Sequence, residues 1–178
     1  MNRLFIASLA AGAFLLSSCS SDEPLAGPDA NGGKVTFIAE FPTETLTRDF
    51  GDGSGTKKLS YAVYEVDAEG NASATPLFAT GKADSPEPVA LADNKGFSIE
   101  VTLIKGQTYN VVFWADAATG SPYTFSAADH NISVSYEGAV ANDEGRDAFF
   151  QSIKNYTAEN SATVPVTLKR PFALYFPA

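Results

Sequence analysis

The chain has 178 residues, with 12 basic and 21 acidic side chains, one histidine, one cysteine and a formal net charge of −9. That acidic balance argues against nucleic acid and anionic lipid headgroups as partners. A single cysteine excludes an internal disulfide and a thiolate metal cluster, so any core must hold by packing alone.

The first element is a leader. Arg3 precedes an apolar run, Leu4 to Leu16, and small residues stand ahead of Cys19. The run is too short to span a bilayer, which takes about 20 residues. This layout resembles a bacterial lipoprotein signal, with residues 1–18 as the signal peptide and lipid on the exposed Cys19; an ordinary secretory signal cut elsewhere is the alternative. Two or more acyl chains anchor a protein stably. Ser20 resembles the residue found after the cysteine of outer-membrane lipoproteins, and Ser21-Asp22-Glu23 resembles short acidic signals that carry some Bacteroidetes lipoproteins to the cell surface. The location expected on this resemblance is the outer membrane, lipid-anchored, at the cell surface. Loss of residues 1–18 removes Arg3 and no acid, which leaves 11 basic against 21 acidic residues. Residues 19–33, rich in Ser, Asp, Pro, Gly and Ala, read as a flexible tether. Residues 34–178 read as a single domain, at about 145 residues long enough to bury a core.

From Lys34 the pattern becomes alternation. Val35, Phe37, Ala39 and Phe41 fall on one face and Thr36, Ile38 and Glu40 on the other, which predicts a strand. Leu59 to Val66 is apolar on both faces. Phe97, Ile99, Val101 and Leu103 alternate with Ser98, Glu100 and Thr102 as a half-buried strand. Tyr109 to Ala115, apolar on both faces, predicts a central strand. Ile132, Val134 and Tyr136 alternate with serines, and Val164, Val166 and Leu168 with Pro165 and Thr167, where proline predicts an edge or a bulge. Phe172, Leu174 and Phe176 form the last predicted strand. Turn signals such as Asp93-Asn94-Lys95-Gly96 and Lys105-Gly106 separate these runs. The one predicted helix is Glu144 to Ile153, capped by Asn142 or Asp143, with Ala148, Phe149 and Ile153 on one face. The expected fold is all-β: a sandwich of about seven strands with one short helix.

Four segments carry a family resemblance: residues 57–65 (KKLSYAVYE), 103–115 (LIKGQTYNVVFWA), 142–150 (NDEGRDAFF) and 166–173 (VTLKRPFA). In that order, over about residues 34 to 176, the chain resembles the N-terminal domain of Bacteroidales fimbrillin-like lipoproteins of type V pili, in a branch known mainly as a domain of unknown function. The resemblance implies a transthyretin-like or Ig-like β-sandwich and a structural or assembly role in a fimbrial or adhesin-like system. It also implies other fimbrial subunits as partners through strand exchange, since fimbrillins lose their first strand when an arginine-specific protease cuts a loop and a neighbour's strand fills the groove. Thr47-Arg48-Asp49, just after the first predicted strand, resembles such a site, although exposed loops are open to many proteases. In the family a second domain usually follows the Arg-Pro-Phe-Ala strand, whereas this sequence stops at Ala178.

Chemistry-bearing residues are few. His130 beside Asp129 lacks a nucleophile-elbow serine and reads as a solvated loop histidine. Asp49, Asp52 and Ser54 among glycines suggest an oxygen-rich calcium loop, but Ser60 stands where the bidentate acid belongs, so the stretch reads as a turn. Asn142 to Asp147 reads as a helix cap in which Arg146 pairs with neighbouring acids. Trp114 beside Asp116 offers a flat apolar face and an N–H donor, but its apolar flank favours a core position. Trp114, Tyr123, Phe125 and Tyr156 are the candidate platform for an extracellular glycan or a host or bacterial surface ligand, the alternative function. No enzymatic activity, cofactor or metal is expected.

Overall fold

The computed structural model describes residues 32–42, 55–138, 140 and 143–171. Cys19, Arg48, the 49–54 loop and the predicted strand from Phe172 to Phe176 lie outside the described residues. Two four-stranded sheets pack face to face. The first takes the order β10-β1-β5-β4, and the second the order β3-β2-β6-β9. The strands are β1 (Gly32–Glu40), β2 (Lys58–Val66), β3 (Phe78–Ala79), β4 (Val89–Ala90), β5 (Gly96–Ile104), β6 (Thr108–Asp116), β7 (Tyr123–Ser126), β8 (Asn131–Val134), β9 (Phe149–Thr157) and β10 (Ser161–Thr167). β7 and β8 pair as a separate hairpin.

The alternation in the sequence becomes the division between core and surface. Val35, Phe37 and Ala39 of β1 and Ile99, Val101 and Leu103 of β5 meet Tyr61, Val63, Tyr109, Val111 and Phe113 of the opposite sheet in one buried cluster. Aromatic contacts fasten the two layers: Phe37 lies 5.6 Å from both Phe113 and Tyr156, and Phe41 lies 4.8 Å from Phe149. β2 and β6 are apolar on both faces because the hairpin covers the far side of their sheet, where Ala62, Tyr64 and Ala79 form a second cluster with Val112 and Phe125.

The predicted helix over 144–153 is not formed. A single 3-10 turn spans Glu144–Arg146, and β9 begins at Phe149. Phe149, Phe150 and Ile153 have a spacing that also suits a helical face, but adjacent aromatics on a strand covered on both faces point to opposite sides. Phe149 enters the inter-sheet core, while Phe150 lies 6.4 Å from Trp114 on the outer face. Further along β9, a register shift against β6 between Tyr109 and Val111 inserts an extra residue, and Asn155 takes a left-handed φ of 55°. A bulge reverses the side-chain alternation beyond it, and Tyr156 therefore turns inward to Phe37.

Where β5 begins, Gly96 adopts φ +146°, and a Cβ there would collide with the Ala39 carbonyl of β1. Only glycine combines that conformation with so close an approach.

The packing predicts a sharp contrast along β1. Phe37→Ala should cost about 3–5 kcal/mol, whereas Thr36→Ala, on the outer face, should stay within about 0.5 kcal/mol. Denaturant unfolding of both variants checks this; equal losses would contradict the assigned faces.

Candidate functional site

Two places in the fold combine unusual geometry with exposure to partners: the slot occupied by β1, and the region between the hairpin and the outer face of the second sheet.

β1 is the first described strand, yet it lies inside its sheet. It pairs in parallel with β10 from Lys34↔Ser161 to Glu40↔Thr167, and antiparallel with β5 from Gly32↔Ile104 to Glu40↔Gly96. Its backbone is therefore bonded on both sides over nearly its whole length. At its start the chain passes so close to Glu159 and Asn160 that a Cβ on Gly33 would meet their carbonyls. Outside the core, Lys34 and Glu100 form an exposed ion pair of 2.7 Å across the β1–β5 boundary, a contact of small energetic weight.

Most of the outer edges of the sandwich are protected. Leu168 N–H donates to the Glu40 carbonyl, so strand alternation turns the backbones of Val166 and Val164 toward β1 and those of Thr167 and Pro165 outward. Proline at an outward position deprives a would-be neighbouring strand of a donor, and the Thr167 carbonyl already accepts from Gln151 Nε2 at 3.1 Å. The predicted edge position of Pro165 is thus observed. On β9, Phe150 exchanges both backbone bonds with Lys169, and Ser152 N–H donates to Gln151 Oε1. The β2 edge is occupied by the segment from Ala72 to Thr80, through bonds such as Leu77 N–H to the Val63 carbonyl and Thr80 N–H to the Tyr61 carbonyl. β4 pairs only with Phe97 and Ser98, which leaves the outward-facing backbone of Glu100 and Thr102 with no strand beside it among the described residues.

The hairpin is clamped onto the second sheet at both ends. At its tip, Tyr64 Oη donates to the Ala127 carbonyl (2.7 Å), and the His130 ring stacks on Tyr64 at 4.3 Å while its Nε2 lies 3.0 Å from the Ala74 carbonyl. At its base, Asp116 Oδ2 accepts from Trp114 Nε1 (3.1 Å) and Ser121 Oγ (2.8 Å), and Ser121 Oγ in turn accepts from Tyr123 N–H. Tyr123 lies edge-on to Trp114 at 5.0 Å and donates its hydroxyl to the Arg146 carbonyl. The Arg146 guanidinium donates to the Ser135 and Glu137 carbonyls and pairs with Asp143. The acidic cluster around Arg146 is thus a clamp for the exit of the hairpin.

Between the clamps runs a groove of about 550 Å³, lined by Tyr64, Val112, Phe125, His130, Ile132, Phe150 and Lys154, with Ser126, Asn131 and Ser152 at its polar positions. Of the four aromatic residues expected to form a platform, only Phe125 lines this groove. Trp114 is 2% exposed beneath Tyr123, and Tyr156 packs against the core. Sequence reasoning missed Tyr64, Phe150 and Lys154, and it placed His130 in a solvated loop. The available signal was the pair of apolar faces on β2 and β6, which requires a cover on the far side.

Asp116 is almost fully buried and its Oδ1 has no hydrogen-bond partner. Burial raises its carboxyl above the ordinary value of 3.8, against the opposing effects of the Ser121 and Trp114 bonds and of Lys58. Among the described residues, no group of three or more His, Cys, Asp or Glu side chains stands ready for a metal ion.

The chain belongs to a family of unknown function, DUF6562, which matches residues 28–176. No curated protein and no solved structure matches it.

The raised carboxyl of Asp116 has a defined consequence for stability. The folded state holds this proton more tightly than the unfolded chain, so the contribution is fully present below the ordinary carboxylate value and is lost as pH rises through the raised one. Asp116→Asn keeps an acceptor for Trp114 and Ser121 without the charge. Its stability relative to wild type should therefore improve from about pH 4 to about pH 7, read by urea unfolding at several pH values. Asp116→Ala, which strands the buried Trp114 N–H, should lose about 1–3 kcal/mol.

Proposed function

We propose that this chain is a lipid-anchored subunit of a cell-surface fimbrial or adhesin-like assembly, non-enzymatic, in which the first strand can be exchanged for a strand of a neighbouring subunit. The observation that carries the proposal is the place of β1. It is doubly paired inside its sheet, contributes core side chains, and is joined to the rest of the domain only through the connection to β2 that contains Arg48.

A cut in that connection separates β1 covalently while leaving every other strand in one chain. Loss of the strand then opens a slot between β10 and β5 in which an incoming strand finds hydrogen-bond partners on both sides and pockets at alternate positions. Recognition by strand addition works in this way: main-chain bonds give affinity and side-chain pockets give register. The covered backbone on β9, β10 and β2 supports the slot as the place of exchange, although β5 also keeps open backbone at Glu100 and Thr102. The energetic scale fits as well. Each fully buried large apolar side chain is worth about 1.5–3 kcal/mol. Val35, Phe37 and Phe41 together thus approach the net stability of a whole domain, about 5–15 kcal/mol. An empty slot would not persist, so release of β1 drives the domain to take up another strand.

In this reading lipid on Cys19 holds the precursor at the outer membrane, the tether ahead of β1 gives it reach, and the partners are other subunits of the assembly; Gly32 and Gly33, read from sequence as the end of that tether, belong to β1. A second reading, capture of a surface glycan or host ligand, is favoured by the groove beneath the hairpin.

Native protein from the membrane fraction and from sheared fibres should separate the states. The proposal expects an acylated Cys19 on membrane-bound material, an N-terminus at Asp49 on fibre material, and no fibre incorporation for Arg48→Ala. Fibre subunits that retain β1, or an Arg48→Ala variant that polymerises normally, would overturn strand exchange.

A further inference from the structure

We propose that the groove between the hairpin and the outer face of the second sheet is a binding site for an acidic sugar unit, a hydroxylated ring bearing a carboxylate. The site is separate from the β1 slot and does not depend on strand exchange.

The first argument is preformation. The hairpin is bonded to the sheet at its tip through Tyr64 and His130 and at its base through Asp116, Ser121 and Arg146. The space between is therefore held open by hydrogen bonds that do not involve a ligand. Its volume of about 550 Å³ lies within the usual range for small-molecule sites, about 300–1,000 Å³. His130 is held at φ 53°, a left-handed conformation uncommon outside glycine. A carbonyl only accepts, so the contact with Ala74 requires a proton on Nε2.

The second argument is charge. The chain as a whole carries −9, yet among the described residues no carboxylate lines this groove, and apart from the Tyr64 phenol its ionisable side chains are His130 and Lys154. Lys154 is exposed and has no ion pair among the described residues. Asp129, the acid nearest in sequence to the hairpin tip, is occupied with the Ser126 hydroxyl at 2.7 Å. An unpaired ammonium beside an apolar floor in an otherwise acidic molecule selects an anion, and a single ammonium matches a single carboxylate.

The third argument concerns shape and polarity. Phe125 and Phe150 supply flat apolar surface for the C–H face of a ring, as aromatic side chains do at sites that are apolar at one end and wet at the other. Asn131 and Ser152 supply amide and hydroxyl groups for ring hydroxyls. A fatty acid would leave these polar groups unpaired, and a cationic ligand would meet Lys154.

The test is an amide NMR titration of the full mature chain with a glucuronate-containing disaccharide, its neutral glucose counterpart and benzoate. The proposal expects saturable shifts confined to residues around Tyr64, Val112, His130 to Ile132 and Phe150 to Lys154, with the acidic disaccharide binding at least about tenfold tighter than the neutral one. Lys154→Met, an exposed substitution that leaves the fold intact, should abolish that preference, and Lys154→Arg should retain it. Absent or scattered shifts, equal binding of the acidic and neutral sugars, or tighter binding of benzoate would each overturn the assignment.

Discussion

The fold depends on one strand being held from both sides. Remove β1, and the first sheet is reduced to β10 on one flank and β5 with its two-residue partner β4 on the other, with nothing to bridge them. The same strand carries Phe37 and leads directly into Phe41, and their contacts with Phe113, Tyr156 and Phe149 join the two layers. Hydrogen bonding and inter-sheet packing therefore fail together if it leaves.

The rest of the sandwich is consistent with that arrangement. Pro165 faces outward on β10, the Gln151 side chain occupies backbone groups of both flanking edges, and Lys169 closes the start of β9. These features discourage pairing at the periphery. Among the described residues the β5 backbone at Glu100 and Thr102 stays open beyond β4, and release of β1 would add the interior slot between β10 and β5.

On the opposite face the hairpin serves a different purpose. It covers the outer apolar surface of β2 and β6, which explains why those strands lack polar alternation, and Asp116 ties its base to Trp114 and Ser121. A buried carboxylate is an expensive fastener for such a joint, since it gives up hydration and leaves Oδ1 without a partner. In return it orients Trp114 and, through Ser121 and Tyr123, sets where the hairpin leaves the sheet. The groove exists because the hairpin is fastened at its ends and stands off in between.

Much of this was legible in the sequence. The alternation of β1 and β5, the two-sided burial of β2 and β6 and the edge position of Pro165 follow from local patterns, because a strand records its two faces in successive residues. Relations between distant segments left no such record. The parallel pairing of β1 with β10 joins Lys34 to Ser161 across most of the chain, and no local pattern encodes it. The predicted helix over Glu144 to Ile153 overlaps the first half of β9 because Ala148, Phe149 and Ile153 suit a helical face as well as a doubly covered strand, and tertiary packing decides between them. Tyr156 was expected at the surface, and the bulge at Asn155 turns it inward. The groove was the least legible feature, because Tyr64, His130, Phe150 and Lys154 come from four separate segments and only the fold brings them together.

The most direct measurement of the central claim is complementation of the first strand in trans. A chain beginning after Arg48 would be followed by tryptophan fluorescence and denaturant unfolding as a synthetic peptide covering residues 32–42 is added. The account predicts that the shortened chain alone lacks a cooperative unfolding transition, and that the peptide restores one saturably, with the Phe37→Ala peptide far weaker. A shortened chain that unfolds cooperatively without the peptide, and gains nothing from it, would contradict the dependence of the fold on β1.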